Sequence, residues 1–377
     1  MTEQELESYD YHNSTGIMND IKNMHRFTAL RILISAAALM VIVAGFKSAQ
    51  SFLVPFVFAL FFAVLGSPAV HWLKSRGVPK VISVLLVAAV MLSILAVVGT
   101  VLARSANEFS AALPRYTTRF SSLAAQLGAW LESYGLESPL SEMFGGLSAK
   151  SLMDMIGTTV RALVSALSST LMVVIMLLFM LFEAADFRAK LELAFGESLN
   201  REDFSRTAAD VQRYLAIKTA TSVLTGVMVW LINFLWGVDF AILWGLLALV
   251  MNYIPVIGSI LASVPAIILA LVQFSLGGAL GLGVAYMAVN IGISNLLEPV
   301  LLGRRLGLSP LIVFLSLVVW GWIWGPAGML LSVPLTMVIR ILLEHSPEFR
   351  WIAVLMDGDA RPSAASDKGD GRFPQKQ

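Results

Sequence analysis

The chain has 377 residues, of which 57% are hydrophobic and only 14% are charged, and its mean hydropathy is +0.79. Because soluble domains carry about 25% charged residues, this composition excludes a water-soluble globule. The net charge of +1 excludes the strongly basic surface of a nucleic-acid-binding protein, and the absence of cysteine excludes disulfides and thiolate metal sites.

Long uncharged runs predict an all-α, polytopic membrane protein. Four runs lie at residues 48–73, 81–103, 162–182 and 219–238, and each can hold one transmembrane helix at about 20 residues per crossing. Two longer runs follow, with 58 residues from Phe240 to Leu297 and 34 residues from Leu306 to Ile339. The first has room for about three crossings, whereas two barely fit in the second.

The N-terminal segment, residues 1–27, is polar and acidic, unlike the short basic start of a cleavable signal peptide. We therefore expect the first apolar helix to remain as a membrane anchor. The first three transmembrane helices are predicted within residues 28–103, with a basic turn around Gly77 that faces the cytoplasm.

Residues 104–161 are more polar and are predicted to form an extracytoplasmic amphipathic helical region. Apolar residues recur there at heptad spacing, which favours a helix that packs on a second copy of the chain. The alternative is an amphipathic helix that lies on the bilayer surface or on the chain's own transmembrane bundle. This heptad seam consists of Phe109, Leu113, Tyr116, Phe120, Leu123, Leu127, Trp130 and Tyr134.

The remaining segments are assigned to alternate sides of the membrane. They are a transmembrane helix at 162–182, a charge-dense cytoplasmic amphipathic region at 183–218, a transmembrane transport core at 219–345, and a cytoplasmic, mostly disordered tail at 346–377. This arrangement puts 20 of the 26 Lys and Arg residues on the face that also carries both termini. By the positive-inside rule, that face is cytoplasmic.

Two interruptions break the apolar runs of the transport core. Pro255 lacks an N–H donor, which should free the carbonyl of Met251, and the middle of the 34-residue run must turn. Broken backbone is tolerated at membrane depth only where it is buried in protein or lines a wet cavity. Paired interruptions indicate a transporter's solute site, and two kinked helices are the alternative. The interrupting residues are Pro255 and Gly258 near 252–258, and Pro326 and Gly328 near 321–328.

Glu298 is an acidic residue within this apolar half of the chain. An ionisable group in hydrocarbon costs several kcal/mol unless it is paired, hydrated or protonated, so Glu298 is a candidate for solute or proton coupling. The alternative is a structural ion pair at the water boundary, with Arg304 six residues further on. Other candidate residues of the pathway are Pro299, Asn252, Asn290 and Asn295, whose amides need partners in another helix or in a solute.

Enzyme motifs are missing from the sequence. It contains no G-x-x-x-x-G-K-[ST] phosphate loop, no H-E-x-x-H and no G-x-S-x-G. We therefore expect neither an enzyme nor a bound cofactor or metal.

Several motifs together resemble the autoinducer-2 exporter (AI-2E) family of bacterial permeases. They are Asn252 to Gly258, Asn295 to Pro299, Gly303 to Pro310 and Trp322 to Pro334. The resemblance implies a multi-pass transporter of the bacterial inner membrane, with about eight transmembrane helices, that forms a homo-oligomer. Eight crossings are reached if one or two broken segments in the C-terminal half are re-entrant hairpins.

The functional expectation is a gradient-driven exporter of a small polar solute, with autoinducer-2 as one candidate. In this interpretation Pro255, Gly258, Pro326 and Gly328 break helices around a shared site, and Glu298 neutralises or coordinates the passenger. The alternatives are a sodium or lithium/proton antiporter, in which Glu298 carries the proton, and a non-transporting scaffold. The expected partners are membrane lipid, the solute or a cation and proton, and further copies of the chain, but no nucleic acid.

Overall fold

The computed structural model describes residues 33–133, 157–158, 172–183, 201–255, 257–302, 308–344, 346 and 348–358. All regular elements in these residues are helices, which confirms the all-α fold. Among them, five helices are long and apolar enough to cross a membrane, and shorter apolar helices accompany them.

The chain divides into two compact units, the first of which ends at Leu53. This unit contains α1, Leu33–Ser48, and the first residues of α2, Gln50–Ser75. Ala49 lies between the two helices and continues their hydrogen bonding. Its amide donates to the carbonyl of Gly45 and its carbonyl accepts the amide of Leu53, both at 2.9 Å.

The second unit begins at Val54, and its N-terminal part is dominated by α3, Lys80–Ser133. With 54 residues, α3 is about 81 Å long. The boundary that hydropathy predicts between residues 103 and 104 lies inside this helix. A helix bonds its backbone internally, so polar residues can extend a membrane-crossing helix without interrupting it.

A short helix, α4, Met172–Glu183, packs with α2 and α3. The three helices meet at Gly66 of α2. A Cβ on Gly66 would lie 2.9 Å from the sulfur of Met91 and 3.3 Å from a methyl carbon of Leu181, so a larger residue would require these side chains to shift.

The remaining helices form the part of the second unit that holds the candidate site. They are α5, Arg201–Trp236; α6, Ala241–Met251; α7, Ile257–Gln273; α8, Leu276–Asn290; a π-helical segment, Ile291–Leu297; α9, Glu298–Leu302; α10, Pro310–Glu344; and α11, Arg350–Met356. The boundary predicted between residues 218 and 219 lies inside α5, for the same reason as in α3.

Helices α5 and α6 form an antiparallel pair with very close backbones. A Cβ on Gly226 would lie 2.9 Å from the carbonyl oxygen of Gly245, and a Cβ on Gly245 would lie 2.6 Å from the Cβ of Trp230. Small residues at such positions let helices approach closely inside a membrane.

Part of the heptad seam packs inside the chain. Phe109 and Tyr116 are buried in the core formed by α5, α6, α7 and α8, and Leu113 packs against the same core. The rings of Phe240 and Trp244 meet the ring of Phe109 edge to face. For these three seam positions the structure supports packing on the chain's own bundle. The side chains of Phe120, Leu123, Leu127, Trp130 and Tyr134 lie outside the described part.

The first part of the segment after α10, for which a mostly disordered tail is predicted, is described by the structure. Helix α11 lies within residues 346–377, and Asp357 accepts a hydrogen bond from Arg340 at 3.0 Å. The amide of Ser309 donates to the carbonyl of Met356 at 2.9 Å. These contacts hold residues 350–358 against α10, and residues 359–377 lie outside the described part.

Candidate functional site

The first interruption is a tight turn between α6 and α7. Gly258 returns against the end of α6, where a Cβ would lie 1.8 Å from the carbonyl oxygen of Met251. Glycine is therefore required at this position by space alone.

The carbonyl of Met251 is paired, which corrects the expectation that Pro255 frees it. The carbonyl of Met251 accepts the amide of Ile254 at 2.9 Å. The amides of Asn252 and Tyr253 donate to carbonyls of α6 at 2.9 and 3.3 Å. Bonds that reach back three residues satisfy the groups that a proline would leave open in a regular helix.

The second interruption folds α10 back on itself. Gly325 has φ 62° and ψ −143°, a conformation that favours glycine, and Pro326 follows it. The indole Nε1 of Trp320 donates to the hydroxyl of Thr336 at 3.3 Å. These residues are 16 positions apart, which corresponds to about 24 Å in a straight helix. Residues 310–324 and 326–344 are therefore two antiparallel halves, as the composition of the 34-residue run predicts.

The two turns have the same close contact. A Cβ on Gly328 would lie 2.0 Å from the carbonyl oxygen of Trp320, much as a Cβ on Gly258 would meet Met251. The repeated Pro/Gly pattern in the sequence thus corresponds to a repeated contact, in which a glycine after the turn packs on a backbone carbonyl near the end of the preceding helix.

Glu298 forms a buried ion pair with Lys218 of α5. The ammonium Nζ lies 2.8 Å from Oε1 and 2.9 Å from Oε2 of the carboxylate. The side chains are only 6% and 13% exposed. The sequence suggests Arg304 as a partner of Glu298, but Arg304 lies outside the described residues. Lys218 is the last residue of the segment that is predicted to be cytoplasmic.

The π-helical segment directly precedes Glu298. The amide of Glu298 donates to the carbonyl of Ile293, five residues back. Pro299 explains this geometry, because it has no N–H for the carbonyl of Asn295 and its ring would clash with that carbonyl in an α-helix. Widening the preceding turn relieves the clash, and π segments of this kind are frequent at functional sites.

The wider turn also keeps polar residues aligned. Tyr286, Asn290, Ser294 and Glu298 recur at intervals of four. In a regular α-helix each interval of four overshoots a full rotation by about 40°. A π-helix turns less per residue, so the segment compensates this drift for Ser294 and Glu298, which contact Asn252 and Lys218.

Asn252, from the first turn, joins α5 to the π segment. Its Nδ2 donates to the hydroxyl of Ser222 at 3.1 Å, and its Oδ1 accepts the hydroxyl of Ser294 at 3.3 Å. Next to it, the hydroxyl of Tyr253 donates to that of Thr219 at 2.8 Å. Side-chain hydrogen bonds between helices are the usual way to satisfy polar groups away from water.

Further along α5, after the contacts of Lys218 and Ser222, Asn233 forms another polar contact between helices. Nδ2 of Asn233 donates to the hydroxyl of Tyr286 and to the carbonyl of Val229, both at 2.7 Å. Asn233 is about 22 Å from Lys218 along the helix axis, which is most of the roughly 30 Å thickness of a bilayer's apolar core. We call the complete line of contacts the polar seam. It consists of Lys218, Ser222 and Asn233 on α5, Asn252 of the turn, and Tyr286, Ser294 and Glu298.

A cavity of about 550 Å³ lies beside the seam, between α5, α6, α7 and α8. Its lining is mostly apolar and contains no charged residue. The polar lining residues are Thr225, Asn252, Ser259, Ser263, Tyr286 and Asn290. A mostly apolar cavity with a few convergent polar groups is typical of a small-molecule site, and sites of this kind have volumes of about 300–1,000 Å³.

The structure brings some of the sequence-predicted residues together and leaves others apart. Asn252 and Glu298 belong to the polar seam, Asn290 lines the cavity, and Pro255 and Gly258 shape the adjoining turn. The second turn, with Pro326 and Gly328, does not line this cavity. Asn295 and Pro299 are exposed on the outer side of their helix, so Asn295 contributes no seam contact.

Sequence reasoning missed Lys218, Ser222, Asn233, Tyr286 and Ser294. Two signals could have found them. On α5, Lys218, Ser222 and Thr225 follow one another at intervals of four and three, and Asn233 lies on the same face eight residues further on. In the later helices, the interval of four links Tyr286 to Glu298. Among the described residues, no group of three or more His, Asp or Glu side chains could hold a metal ion.

Comparison with known proteins adds independent information. The family model described as "AI-2E family transporter" matches residues 33–348. The "Putative transport protein YhhT" of Escherichia coli K12 is 36% identical over 338 residues, covering 89% of this chain and 97% of that protein. The "AI-2 transport protein TqsA" of the same organism is 35% identical over 328 residues, covering 87% and 95%. A "Putative transport protein" of Haemophilus influenzae is 34% identical over 346 residues, covering 90% and 98%.

Proposed function

Because this chain belongs to the AI-2E transporter family, we propose that it exports a small polar solute across the bacterial inner membrane, driven by a gradient rather than by nucleotide. Autoinducer-2 is the first candidate passenger, since the relative TqsA is described as an AI-2 transport protein. The observation that carries the proposal is the polar seam with its adjoining cavity.

The polar seam supports transport because its buried polar groups would add little to the stability of two packed transmembrane helices. Between helices in a membrane, hydrogen bonds add only about 0.6–2 kcal/mol each. A buried Lys and Glu must in addition lose their hydration, and such groups commonly mark solute or ion pathways. The cavity then offers hydroxyl and amide groups to a passenger at the middle of the seam.

The Lys218–Glu298 pair would close one end of this pathway. It lies one helical turn from Ser222 and Ser294, which hold Asn252 at the edge of the cavity. A passenger that leaves the cavity in this direction meets the ion pair, and the pair must separate or shift to let it through. The positive-inside count supports an orientation with both termini and this end of the seam in the cytoplasm.

A sodium or lithium/proton antiporter is the second candidate, and the buried Glu298 favours it. A carboxylate that exchanges its lysine partner for a proton could couple proton movement to a cation. An imposed sodium gradient should then move protons in sealed vesicles that contain a pH dye. A solute exporter should show no such signal.

The export proposal is tested by loading proteoliposomes with autoinducer-2 and following its efflux down an imposed gradient. The wild type should release it faster than empty vesicles. Glu298→Gln should abolish this flux because it leaves the charge of Lys218 without its partner.

Two further variants separate transport from folding. The double variant Lys218→Gln/Glu298→Gln removes both charges and should fold but transport poorly, whereas the exchange Lys218→Glu/Glu298→Lys keeps a pair and should retain part of the flux. Unchanged flux in the double variant would remove the ion pair from the mechanism. A wild type no faster than empty vesicles would contradict export of this passenger.

A further inference from the structure

Asn233 is an unusual residue for a membrane-crossing helix because its side chain is fully buried and its amide oxygen accepts no hydrogen bond among the described residues. Its exposure is 0%, and its Nδ2 donates two hydrogen bonds of 2.7 Å, to Tyr286 and to the carbonyl of Val229. Among the described residues, its Oδ1 has no hydrogen-bond partner. Buried acceptors of this kind are rare and call for an explanation.

The orientation of this amide is fixed by its neighbours. If Nδ2 and Oδ1 were exchanged, Oδ1 would lie 2.7 Å from the carbonyl oxygen of Val229, and two acceptors would face each other. Asn233 must therefore direct its donor toward Tyr286.

This orientation makes the hydroxyl oxygen of Tyr286 the acceptor in its contact with Asn233. A phenol oxygen can accept one hydrogen bond while its own proton donates another. The oxygen of Tyr286 accepts from Asn233, so the proton of Tyr286 points elsewhere. Tyr286 and Val229 both line the 550 Å³ cavity, so the phenol whose proton is not taken up by Asn233 belongs to a residue of the cavity wall.

We infer that Tyr286, positioned by Asn233, is a hydrogen-bond donor that selects passengers carrying a hydroxyl or carbonyl oxygen at this part of the cavity. The inference rests on the proposed function and specifies a recognition group for it. The passenger class is uncharged, because no charged side chain lines the cavity to compensate an ion.

The cavity provides a matched control. Ser263 also lines it, but the hydroxyl of Ser263 donates to the carbonyl of Ile260 in its own helix, at 3.1 Å. The hydroxyl proton of Ser263 is therefore already in a hydrogen bond, whereas the hydroxyl proton of Tyr286 points away from Asn233. Ser263→Ala and Tyr286→Phe each remove one hydroxyl from the same cavity, and only the second should affect recognition.

The experiment measures autoinducer-2 in two ways for each variant. Efflux from proteoliposomes gives KM and kcat, and equilibrium dialysis of the purified full chain gives Kd. Tyr286→Phe should raise KM and Kd about fivefold to tenfold, the size of one neutral hydrogen bond, with kcat unchanged. Asn233→Leu should have a similar effect, and the double variant should show no further increase because Asn233 acts through Tyr286. Ser263→Ala should match the wild type.

The outcomes distinguish this inference from the export proposal. If Tyr286→Phe binds and transports autoinducer-2 normally, the role of Tyr286 is overturned. The same holds if the yield of the variant falls while its KM and Kd stay constant, because the hydroxyl is then only structural. A wild type that binds autoinducer-2 but does not move it contradicts export, and the dialysis constants of the variants then decide the recognition group. A wild type that neither binds nor moves autoinducer-2 contradicts both.

Discussion

Glu298 and Lys218 show how a single pair of residues can dominate the electrostatics of an apolar bundle. Each charge would be expensive alone, and two hydrogen bonds of 2.8 and 2.9 Å hold them together at 13% exposure or less. Removing one partner of a buried pair typically costs about 3–5 kcal/mol, whereas replacing both is often close to neutral. This asymmetry is why the double variant, and not Glu298→Gln alone, tests a role in transport.

Glycine is required for the close backbone contacts of the two tight turns, and the effect of a single added methyl group there is predictable. Gly258→Ala and Gly328→Ala would place a Cβ 1.8 and 2.0 Å from a carbonyl oxygen. We expect each variant to lose at least about 1–3 kcal/mol of stability, because the helix ends must separate. The apparent melting temperature of the purified protein measures this loss.

Gly99→Ala serves as the matched control. A Cβ at Gly99 would meet nothing within 4 Å, and alanine favours the helix by up to about 1 kcal/mol. Its melting temperature should equal or exceed that of the wild type. If Gly258→Ala and Gly328→Ala melted at the same temperature as Gly99→Ala, the two tight turns would be contradicted.

At the scale of elements, a polar cluster adds to the apolar contacts that join α3 to the helices after it. The hydroxyl of Tyr116 donates to the carboxylate of Asp239, in the turn between α5 and α6, and Gln273 donates to Tyr116 at 3.4 Å. The indole of Trp244 donates to the carbonyl of Asp239 at 2.9 Å. The cluster lies at the end of α5 opposite Lys218, so it fixes α3 at that end of the polar seam.

Tyr116→Phe should loosen this anchor without removing its aromatic packing. The lost hydrogen bond goes to a carboxylate that is exposed, so we expect a loss of about 1 kcal/mol. Hydrogen exchange should become faster at residues 237–244. Ser93→Ala, an exposed hydroxyl bonded to its own helix, should leave this exchange unchanged. Equal exchange in both variants would show that the cluster does not hold the turn.

The comparison of elements shows which features the sequence could predict. Pro255, Gly258, Pro326 and Gly328 identify both helix breaks, because proline and glycine act locally on the backbone. The continuity of α3 past residue 104 was not predictable from hydropathy, since a helix satisfies its backbone in water as well as in lipid. The partner of Glu298 depends on tertiary packing, which brings Lys218 from 80 positions away.

At the scale of the whole molecule, the chain is a member of a transporter family, and the described residues include five helices long and apolar enough to cross a membrane. The homo-oligomer, the inner-membrane location and the cytoplasmic termini stay predictions. The central claim is that the polar seam becomes accessible to water and passenger during transport. Its buried residues distinguish it from the opposite face of α5, which carries exposed apolar side chains such as Leu224, Val227 and Leu231.

Single-cysteine labelling tests this claim most directly, and the chain offers a natural background because it contains no cysteine. One cysteine at a time replaces Ser222, Asn233 or Asn252, which are buried in the polar seam, or Leu224, Val227 or Leu231 on the opposite face of α5. A charged, membrane-impermeant thiol reagent is then applied to sealed vesicles during autoinducer-2 efflux. We predict labelling at the three seam positions, although they are buried, and none at the three opposite positions. Protection of all three seam cysteines under active transport would contradict the account.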